Sequence, residues 1–390
     1  MLYIDYSECK MSEGTSKSGG FNYINHVVTM LNDKEIKVVL IIPSGFSPTD
    51  DENKLFTLKN VTTVKIDSLA NIKMESNATL FIPLLPVAKL SIIDKIKKNN
   101  PNSKVYITIH GVRRLDLKYD KYDKYYFEGI RKELYPIIAR LSYYIGNVMY
   151  RREIKKHLNK YDKVFTVSNN TMQQLIKLGS PKHIKWFYQG ANISEIDKTK
   201  GENNNSKEKY ILFVSGNRSE KNLLRFMIAF LKYKRENESD NLLYVTGINE
   251  TRKNTLLQCK ELDKLDVFKW VKFFGYVDDD VLDELYFNAQ YIAYPSKSEG
   301  FGLPVQEAIM RGKPVLASYV TAIPEVVDSS ICYMNPFSVD SIVMGLRKMT
   351  QKELERQILA IKEKEKIVID RIELCNNDLA FELTENEVQN

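Results

Sequence analysis

Short runs of β-branched and aromatic residues recur along the chain, and the stretches between them space their apolar residues as a helix does. In the first half the pattern predicts strands at Leu2–Asp5, Ile36–Ile42, Val61–Ile66, Thr79–Ile82, Val105–Ile109, Lys163–Val167 and Ile184–Tyr188. Helices are predicted at Asn22–Leu31 and Leu90–Lys98. The strand runs are continuously apolar instead of alternating, which is the pattern of a parallel sheet covered by helices on both faces. From Asp197 to Lys209 the chain is polar and without periodicity, a linker or a disordered loop.

Beyond it the alternation restarts. Strands are predicted at Tyr210–Val214, Leu242–Thr246, Val271–Phe274, Tyr291–Tyr294, Pro314–Ala317 and Ile331–Met334, and helices at Asn222–Lys234, Asp280–Asn288 and Pro304–Arg311. Two βα arrays imply an α/β protein with two Rossmann-like domains, residues 1–196 and 210–351, facing across a cleft and joined by the linker 197–209. A zwitterionic tail, Gln351 to Leu374, follows and should be helical. Ligands of such sheets bind at the carboxyl ends of the strands, so the cleft is the expected site.

Composition narrows the class. With 390 residues, 43% of them hydrophobic, the chain can bury a large core, which excludes disorder for most of it. No apolar run reaches the ~18 residues of a membrane span, and the opening residues lack the basic and apolar segments of a secretory signal. The four cysteines, Cys9, Cys259, Cys332 and Cys375, stand too far apart for a local CxxC pair or zinc knuckle, and there are only four histidines. The expectation is a soluble cytoplasmic protein without a dedicated metal site.

Charge changes the picture locally. The net charge is +7, yet Lys104 to Lys160 holds 14 Lys and Arg against 6 Asp and Glu, leaving the rest of the chain near neutral. That segment also carries Tyr119, Tyr122, Tyr125, Tyr126, Tyr135, Tyr143, Tyr144 and Tyr150. A basic, aromatic patch suits an anionic membrane surface or a phosphate-bearing partner, and no recognition motif accompanies it that would favour nucleic acid. A solvated helical face with its tyrosines in the core is the simpler alternative.

The segment Ser296–Val315 carries the chemistry. A predicted strand runs into Glu299-Gly-Phe-Gly-Leu-Pro, where Gly300 and Gly302 let backbone N–H groups approach an anion and Pro304 opens a helix. The helix aims its positive end at the same place, making a phosphate cradle. It lacks the third glycine of the dinucleotide fingerprint. Glu299 and Glu307 flank the cradle. Carboxylates repel phosphate, so they suit hydroxyl donors such as those of ribose or a hexose; taken alone, Glu307 could equally complement the helix dipole.

Glu299-Gly-Phe-Gly-Leu-Pro-Val-Gln-Glu307, followed by Gly312-Lys-Pro-Val-Leu-Ala-Ser318 and Ile323-Pro-Glu-Val326, resembles the E-x7-E region of retaining glycosyltransferases of the GT-B fold, specifically family 4 (GT4, glycosyltransferase group 1). Val214-Ser-Gly-Asn-Arg-Ser-Glu-Lys-Asn222 resembles the block that opens the second domain of that family. Phe273-Phe-Gly-Tyr-Val277, Pro295-Ser296, Ile107-Thr-Ile-His-Gly111, Val167-Ser168 and Gln189-Gly-Ala-Asn192 fall in family order. The resemblance implies a hexosyltransferase taking a nucleotide-diphosphate sugar as co-substrate, without a metal, and passing the sugar to a glycan, glycolipid or polysaccharide-precursor acceptor. It implies a C-terminal helix, about 352–390, that packs back on the first domain, and donor binding by Gly19, Gly20, Arg218, Lys221, Tyr276, Gly300, Phe301, Gly302, Leu303 and Glu307. Arg218 and Lys221 would hold the diphosphate, Phe301, Gly302 and Leu303 would donate N–H groups to it, and Glu307 would hold ribose. Glu299 and His110 are the expected catalytic residues, contacting the donor sugar. The expected location is cytoplasmic, at the inner face of the membrane, with the 104–160 patch touching anionic lipid.

Rival readings are a non-catalytic GT-B glycan-binding or partner subunit, which should have lost the donor residues, and a nucleotide-sugar epimerase, which should carry more acid and base groups. Two motifs are set aside. Gly14 to Phe21 nearly spells a P-loop but lacks its Lys-Ser/Thr. Asp278-Asp279-Asp280 contains a DxD pattern, yet its place before Val281-Leu-Asp-Glu-Leu reads as a helix N-cap.

Overall fold

The computed structural model describes residues 1–7, 19–179, 181–189, 208–237, 239–327 and 330–384. It forms two compact units. The first comprises Met1–Val112, Asn147–Asn192 and Ile369–Asn390, and the second Arg113–Gly146 and Ile193–Val368. Most of the linker 197–209, the Glu8–Ser18 loop and the end of Gln189-Gly-Ala-Asn192 lie outside the described residues.

The first unit holds β1 (Leu2–Asp5), β2 (Val38–Pro43), β3 (Val61–Ile66), β4 (Thr79–Ile82), β5 (Lys104–Ile109), β6 (Lys163–Thr166) and β7 (Ile184–Trp186). They form one parallel sheet in the order β3-β2-β1-β4-β5-β6-β7. Ile4 faces Leu40 on one side and Phe81 on the other, and all three are fully buried. The helix Gly19–Asp33 covers the sheet through Phe21, Ile24, Val27, Val28 and Leu31, one stripe at helical spacing. Leu379, Ala380 and Leu383 of the tail helix (Gln351–Thr384) join this core. Glu382 of the same helix, buried, is held by Lys163 at 2.5 Å and by Lys185. The returning tail was expected; it joins the first unit from Ile369 onward and carries no tryptophan.

The second unit holds β8 (Tyr210–Phe213), β9 (Leu242–Val245), β10 (Val271–Phe273), β11 (Tyr291–Tyr294), β12 (Val315–Ser318) and β13 (Cys332–Met334). Its sheet, again parallel, runs β10-β9-β8-β11-β12-β13. Each sheet reverses direction at its first strand, between β1 and β4 and between β8 and β11. That reversal is the switch point where Rossmann-like sheets hold ligands.

One boundary differs from the sequence reading. Residues 113–146 follow β5, and the first domain was expected to contain them. They pack with the second unit instead. The turn Lys121–Tyr126 places Tyr122, Tyr125 and Tyr126 in the core with Phe226, Phe230 and Leu243. Beside it Asp120 takes Arg225 Nη2 at 2.8 Å and Lys297 Nζ at 3.1 Å, and Asp123 takes Lys297 Nζ at 2.5 Å. All four charged side chains are buried. Three aromatic side chains and a closed set of ion pairs outweigh chain proximity to β5. Part of the basic, tyrosine-rich run is therefore interior structure. The sequence pattern also did not anticipate the helices Asp50–Phe56, Gly129–His157 and Val339–Lys348.

Candidate functional site

In the second unit the loops that leave β8 and β11 meet at the switch point. The β8 loop ends in Asn222, whose φ of +67° is left-handed. Its side-chain amide donates to Pro295 O at 3.1 Å and Pro336 O at 2.7 Å. This ties the β8 loop to the start of the β11 loop and sets Lys221 against Glu299. Lys221 Nζ lies 2.7 Å from Glu299 Oε1 and 2.5 Å from the Tyr294 hydroxyl. Ser296 Oγ donates to the same Oε1 at 2.5 Å. The backbone N–H of Glu299 donates to Thr321 Oγ1 at 3.0 Å. Thr321 holds a φ of +47°, a strained conformation for a β-branched residue, and strain of this kind gathers at functional sites.

Both members of the pair are buried. Burial alone would raise the carboxyl of Glu299, but the charges of Lys221 and Arg218 win and hold it down at about 2. Glu299 is therefore an acceptor-only group, and with Lys221 and Ser296 both on Oε1, its Oε2 keeps lone pairs for hydroxyl donors. Burial lowers Lys221, with Glu299 opposing it. Arg218 is half exposed; its Nε meets Glu220 Oε1 at 3.3 Å, and Arg113 Nη1 meets the same oxygen at 2.7 Å. With its side chain half exposed, the Arg218 guanidinium is accessible to an anion.

The cradle follows. Gly302 caps the helix Leu303–Met310 at φ +109° and ψ 45°, a conformation that side-chain-bearing residues rarely adopt. Val305 and Gln306 donate to Gly302 O at 2.9 and 3.4 Å, and Pro304 has no N–H. Leu303 is thus the first-turn N–H open to a ligand among the described residues, at the positive end of the helix. Phe301 is buried beside it and Gly300 precedes it. One turn on, Glu307 Oε2 accepts from the Tyr286 hydroxyl at 2.9 Å, and burial raises its carboxyl. Arg311 pairs with Asp283 next to it.

Of the residues chosen from sequence, the structure gathers Arg218, Lys221, Glu299, Gly300, Phe301, Gly302, Leu303 and Glu307 around this one switch point. Tyr276 is not among them: it follows edge strand β10, is exposed, and makes no hydrogen bond or ring contact with the group. Asp278 accepts from Val281 N at 2.9 Å and is the N-cap of the helix Asp279–Asn288. Among the described residues no three His, Cys, Asp or Glu gather as a metal set. Sequence reasoning missed Tyr294, Thr321, Tyr286 and Asn217. Asn217 Oδ1, in the β8 loop beside Arg218, is buried without a partner, an acceptor that a ligand can satisfy. Tyr294 could have been found as the strand residue before Pro295-Ser296; nothing in the sequence marks Thr321.

The first unit gathers its own residues at its switch point. His110, one residue beyond β5, puts Nε2 2.8 Å from Pro83 O at the end of β4. A carbonyl only accepts, so Nε2 carries the proton and Nδ1 is the acceptor. The Tyr23 ring stands edge-on to the imidazole at 4.7 Å, and its hydroxyl lies 3.1 Å from Thr108 Oγ1. Burial pushes His110 down to about 4, against the bond to Pro83, so the ring is neutral at pH 7. Gly20 lies in the first turn of the Gly19–Asp33 helix, where a Cβ would come within 2.8 Å of Leu84 Cδ1. Glycine is what lets that helix end approach the β4 loop. Gly19 O accepts from Gln189 Nε2 at 3.3 Å.

One comparison with known proteins falls on the segment that carries the second unit's group. Residues 194–366 match the family model "Glycosyl transferases group 1". The chain is 32% identical to O-antigen chain mannosyltransferase B of Escherichia coli over 149 residues, 38% of this chain and 39% of the relative. It is 28% identical to O-antigen chain mannosyltransferase RfbU of Salmonella typhimurium over 211 residues, 53% of this chain and 56% of the relative. These matches span less than two thirds of either relative. Solved structures align over nearly the whole chain. A glycosyltransferase from Rickettsia africae aligns with TM-score 0.68 and 17% identity over 99% of this chain and 98% of its own. Sucrose-phosphate synthase from Thermosynechococcus elongatus aligns with TM-score 0.72 and 14% identity over 100% and 99%. At these identities the structures establish the fold, and the family match falls on the sheet that carries Lys221 and Glu299. Residues 194–366 thus form a GT4-type glycosyl transferases group 1 domain, within a chain that has the two Rossmann-like units of the GT-B fold.

Proposed function

We propose that the chain is a retaining hexosyltransferase that moves mannose from a nucleotide-diphosphate sugar to a glycan or lipid-linked polysaccharide precursor at the cytoplasmic face of a membrane. The observation that carries the reading is Glu299, kept ionised by Lys221 and Arg218 beside an open helix N-terminus. Breaking the anomeric C–O bond puts negative charge on the leaving diphosphate. The Arg218 guanidinium, the Lys221 charge, the Leu303 N–H and the helix dipole meet that charge without reorganising, and no metal is needed in this scheme. Glu299 accepts hydroxyls of the donor sugar. Glu307, steadied by Tyr286, accepts those of ribose. His110, neutral and with Nδ1 as acceptor, suits a hydroxyl donor and not the role of a base. Mannose as the sugar is supported by the Escherichia coli and Salmonella relatives, which are named as mannosyltransferases of O-antigen chains.

The test is a thermal-shift screen of UDP- and GDP-linked sugars, followed by transfer assays on lipid-linked acceptors. A cognate donor raises the melting temperature by mass action. Glu299→Ala and Arg218→Ala should abolish transfer, chelator treatment should not, and the product's anomeric proton should show retention. Unchanged transfer and donor binding in Arg218→Ala and Glu307→Ala would overturn the reading. Donor binding with no transfer to any acceptor would favour a non-catalytic glycan-binding subunit.

A further inference from the structure

Two guanidiniums of the second unit converge on one buried carboxylate. Arg113 opens the segment after β5 that packs with this unit, and Arg218 sits in the β8 loop. Arg113 Nη1 lies 2.7 Å and Arg218 Nε 3.3 Å from the same oxygen, Glu220 Oε1, so the two charges stand side by side. Neither contact has the geometry of a hydrogen bond, since Glu220 Oε1 is buried with no donor directed at it. Among the described residues neither arginine side chain makes a hydrogen bond or meets another carboxylate, and their exposures are 47% and 49%. Like charges this close repel, and one carboxylate offsets only one of them. The surroundings hold both in place. Glu220 O accepts from Lys297 N at 2.7 Å and from Ser296 Oγ at 3.1 Å, in the loop that leads to Glu299. Asp116, in the same short turn as Arg113, accepts from Ser298 Oγ at 2.8 Å. The Arg113 turn is thus fixed to the loop that carries Glu299.

We propose that Arg113 is a second guanidinium on the donor's diphosphate, closing with Arg218 on the leaving group; this rests on the reading of the chain as a transferase that uses a nucleotide-diphosphate sugar. When the anomeric C–O bond breaks, its electron pair stays on the β-phosphate oxygen. The acceptor hydroxyl forms the new bond to the anomeric carbon, and its proton passes to the departing diphosphate. Until that proton arrives the diphosphate carries one more negative charge than it did in the donor. Lys221 already has Glu299 as its counter-charge, which leaves the arginine pair as the surplus that meets it. Guanidiniums present paired N–H groups that match phosphate oxygens, and cations already in place stabilise the developing charge without reorganising. Glu220 keeps the two like charges together, and a diphosphate beside them supplies the second counter-charge.

Titration calorimetry of the full chain with UDP, UMP, GDP and GMP tests it. Wild type should bind one diphosphate more tightly than the matching monophosphate. Arg113→Ala should narrow that gap by about tenfold with monophosphate binding little changed, and Arg113→Lys should restore part of it. In transfer assays kcat of Arg113→Ala should fall by about a hundredfold, with a smaller change in KM. Glu220→Gln should act with the opposite sign: with the counter-charge gone, diphosphate binding should tighten by a few-fold. A merely structural role for Arg113 predicts instead that both variants loosen the loop and weaken binding alike. Arg113 is half exposed, so the melting curve of Arg113→Ala without nucleotide should match wild type. An unchanged gap in Arg113→Ala, or equal losses in Arg113→Ala and Glu220→Gln, would overturn the proposal. If Arg218→Ala closes the gap where Arg113→Ala does not, the functional reading stands and only the role of Arg113 falls. A wild type that binds neither diphosphate overturns both.

Discussion

Lys221 Nζ and Glu299 Oε1 sit 2.7 Å apart, buried together where β8 and β11 end side by side. The lysine comes from one loop and the glutamate from the next strand's loop, so the pair closes only when the switch point is assembled. A buried pair of this kind is poor evidence for net stability but makes each partner depend on the other.

Lys221→Met is accordingly expected to destabilise the second unit by about 3–5 kcal/mol, because Glu299 is left buried and unpaired. Lys221→Met/Glu299→Gln should recover part of the loss. The pH dependence gives a second readout. In wild type the Glu299 carboxyl falls from its ordinary 4.5 to about 2, so its stabilising contribution is complete above about pH 4.5 and is lost as pH falls toward 2. In Lys221→Met, burial acts with only Arg218 against it, and that contribution should shrink or reverse. Urea unfolding between pH 2 and 7 measures both effects; a single variant that unfolds like wild type would contradict them.

Asp120 and Asp123 should behave oppositely although both touch Lys297. Burial pushes the Asp123 carboxyl up to about 6, more than Lys297 pulls it down, whereas Lys297 and Arg225 together overcome burial at Asp120 and lower it. A raised carboxyl contributes stability that is present below its unfolded value of 3.8 and is lost as pH rises through 6. Asp123→Asn should therefore flatten the decline of unfolding free energy between about pH 4 and 6, a span of about 3 kcal/mol, and be mild at pH 7. Asp120→Asn strips Arg225 of its carboxylate and should cost about 3–5 kcal/mol. Equal losses at pH 7 would refute the distinction.

How far the sequence reached is visible in these residues. All thirteen strands among the described residues were legible: the central ones are buried, continuous apolar runs, and the exposed edge strands β3, β7 and β10 still carry β-branched or aromatic residues. Glu299, Gly302 and Glu307 were legible because one local segment carries the strand end, the cradle and the helix start. Asp120, Asp123 and Lys297 were not, since Lys297 lies more than 170 positions from either aspartate along the chain and only tertiary packing joins them. The helix Gly129–His157 escaped for a different reason: with apolar residues on both its faces it shows no helical contrast. Thr321 looks like any other threonine until its backbone is seen.

Gly302→Ala isolates conformation from packing. A Cβ at Gly302 meets only Ile323 Cγ1, at 3.5 Å, an ordinary contact, so the cost comes from the φ of +109°. That cost is about 1–2 kcal/mol if the backbone holds, and otherwise the loop turns the Leu303 N–H away from the cradle. Donor binding should weaken by about tenfold in titration calorimetry while the melting temperature falls only a few degrees. Binding equal to wild type would mean that the N-terminus of this helix does not hold the diphosphate.

His110 separates a hydrogen-bond acceptor from a proton carrier. Its ring titrates at about 4, lowered from 6.5 by burial and partly restored by the bond to Pro83 O. As pH falls below about 6.5 the unfolded chain takes up this proton first, so the histidine's contribution to stability declines from there toward pH 4, and His110→Phe should remove that slope. Across the pH range from about 5.5 to 8 the ring does not change state, so the rate profile should carry no limb belonging to it. His110→Phe keeps a flat ring against Tyr23 but has no acceptor, and kcat should fall by about a hundredfold with KM little changed. Nitrogen NMR of the histidines should find one ring with its proton on Nε2, unprotonated at Nδ1, down to about pH 5. A limb near pH 6.5 that vanishes in His110→Phe would instead make the residue an acid or base, and the bond to Pro83 could not then be its resting state.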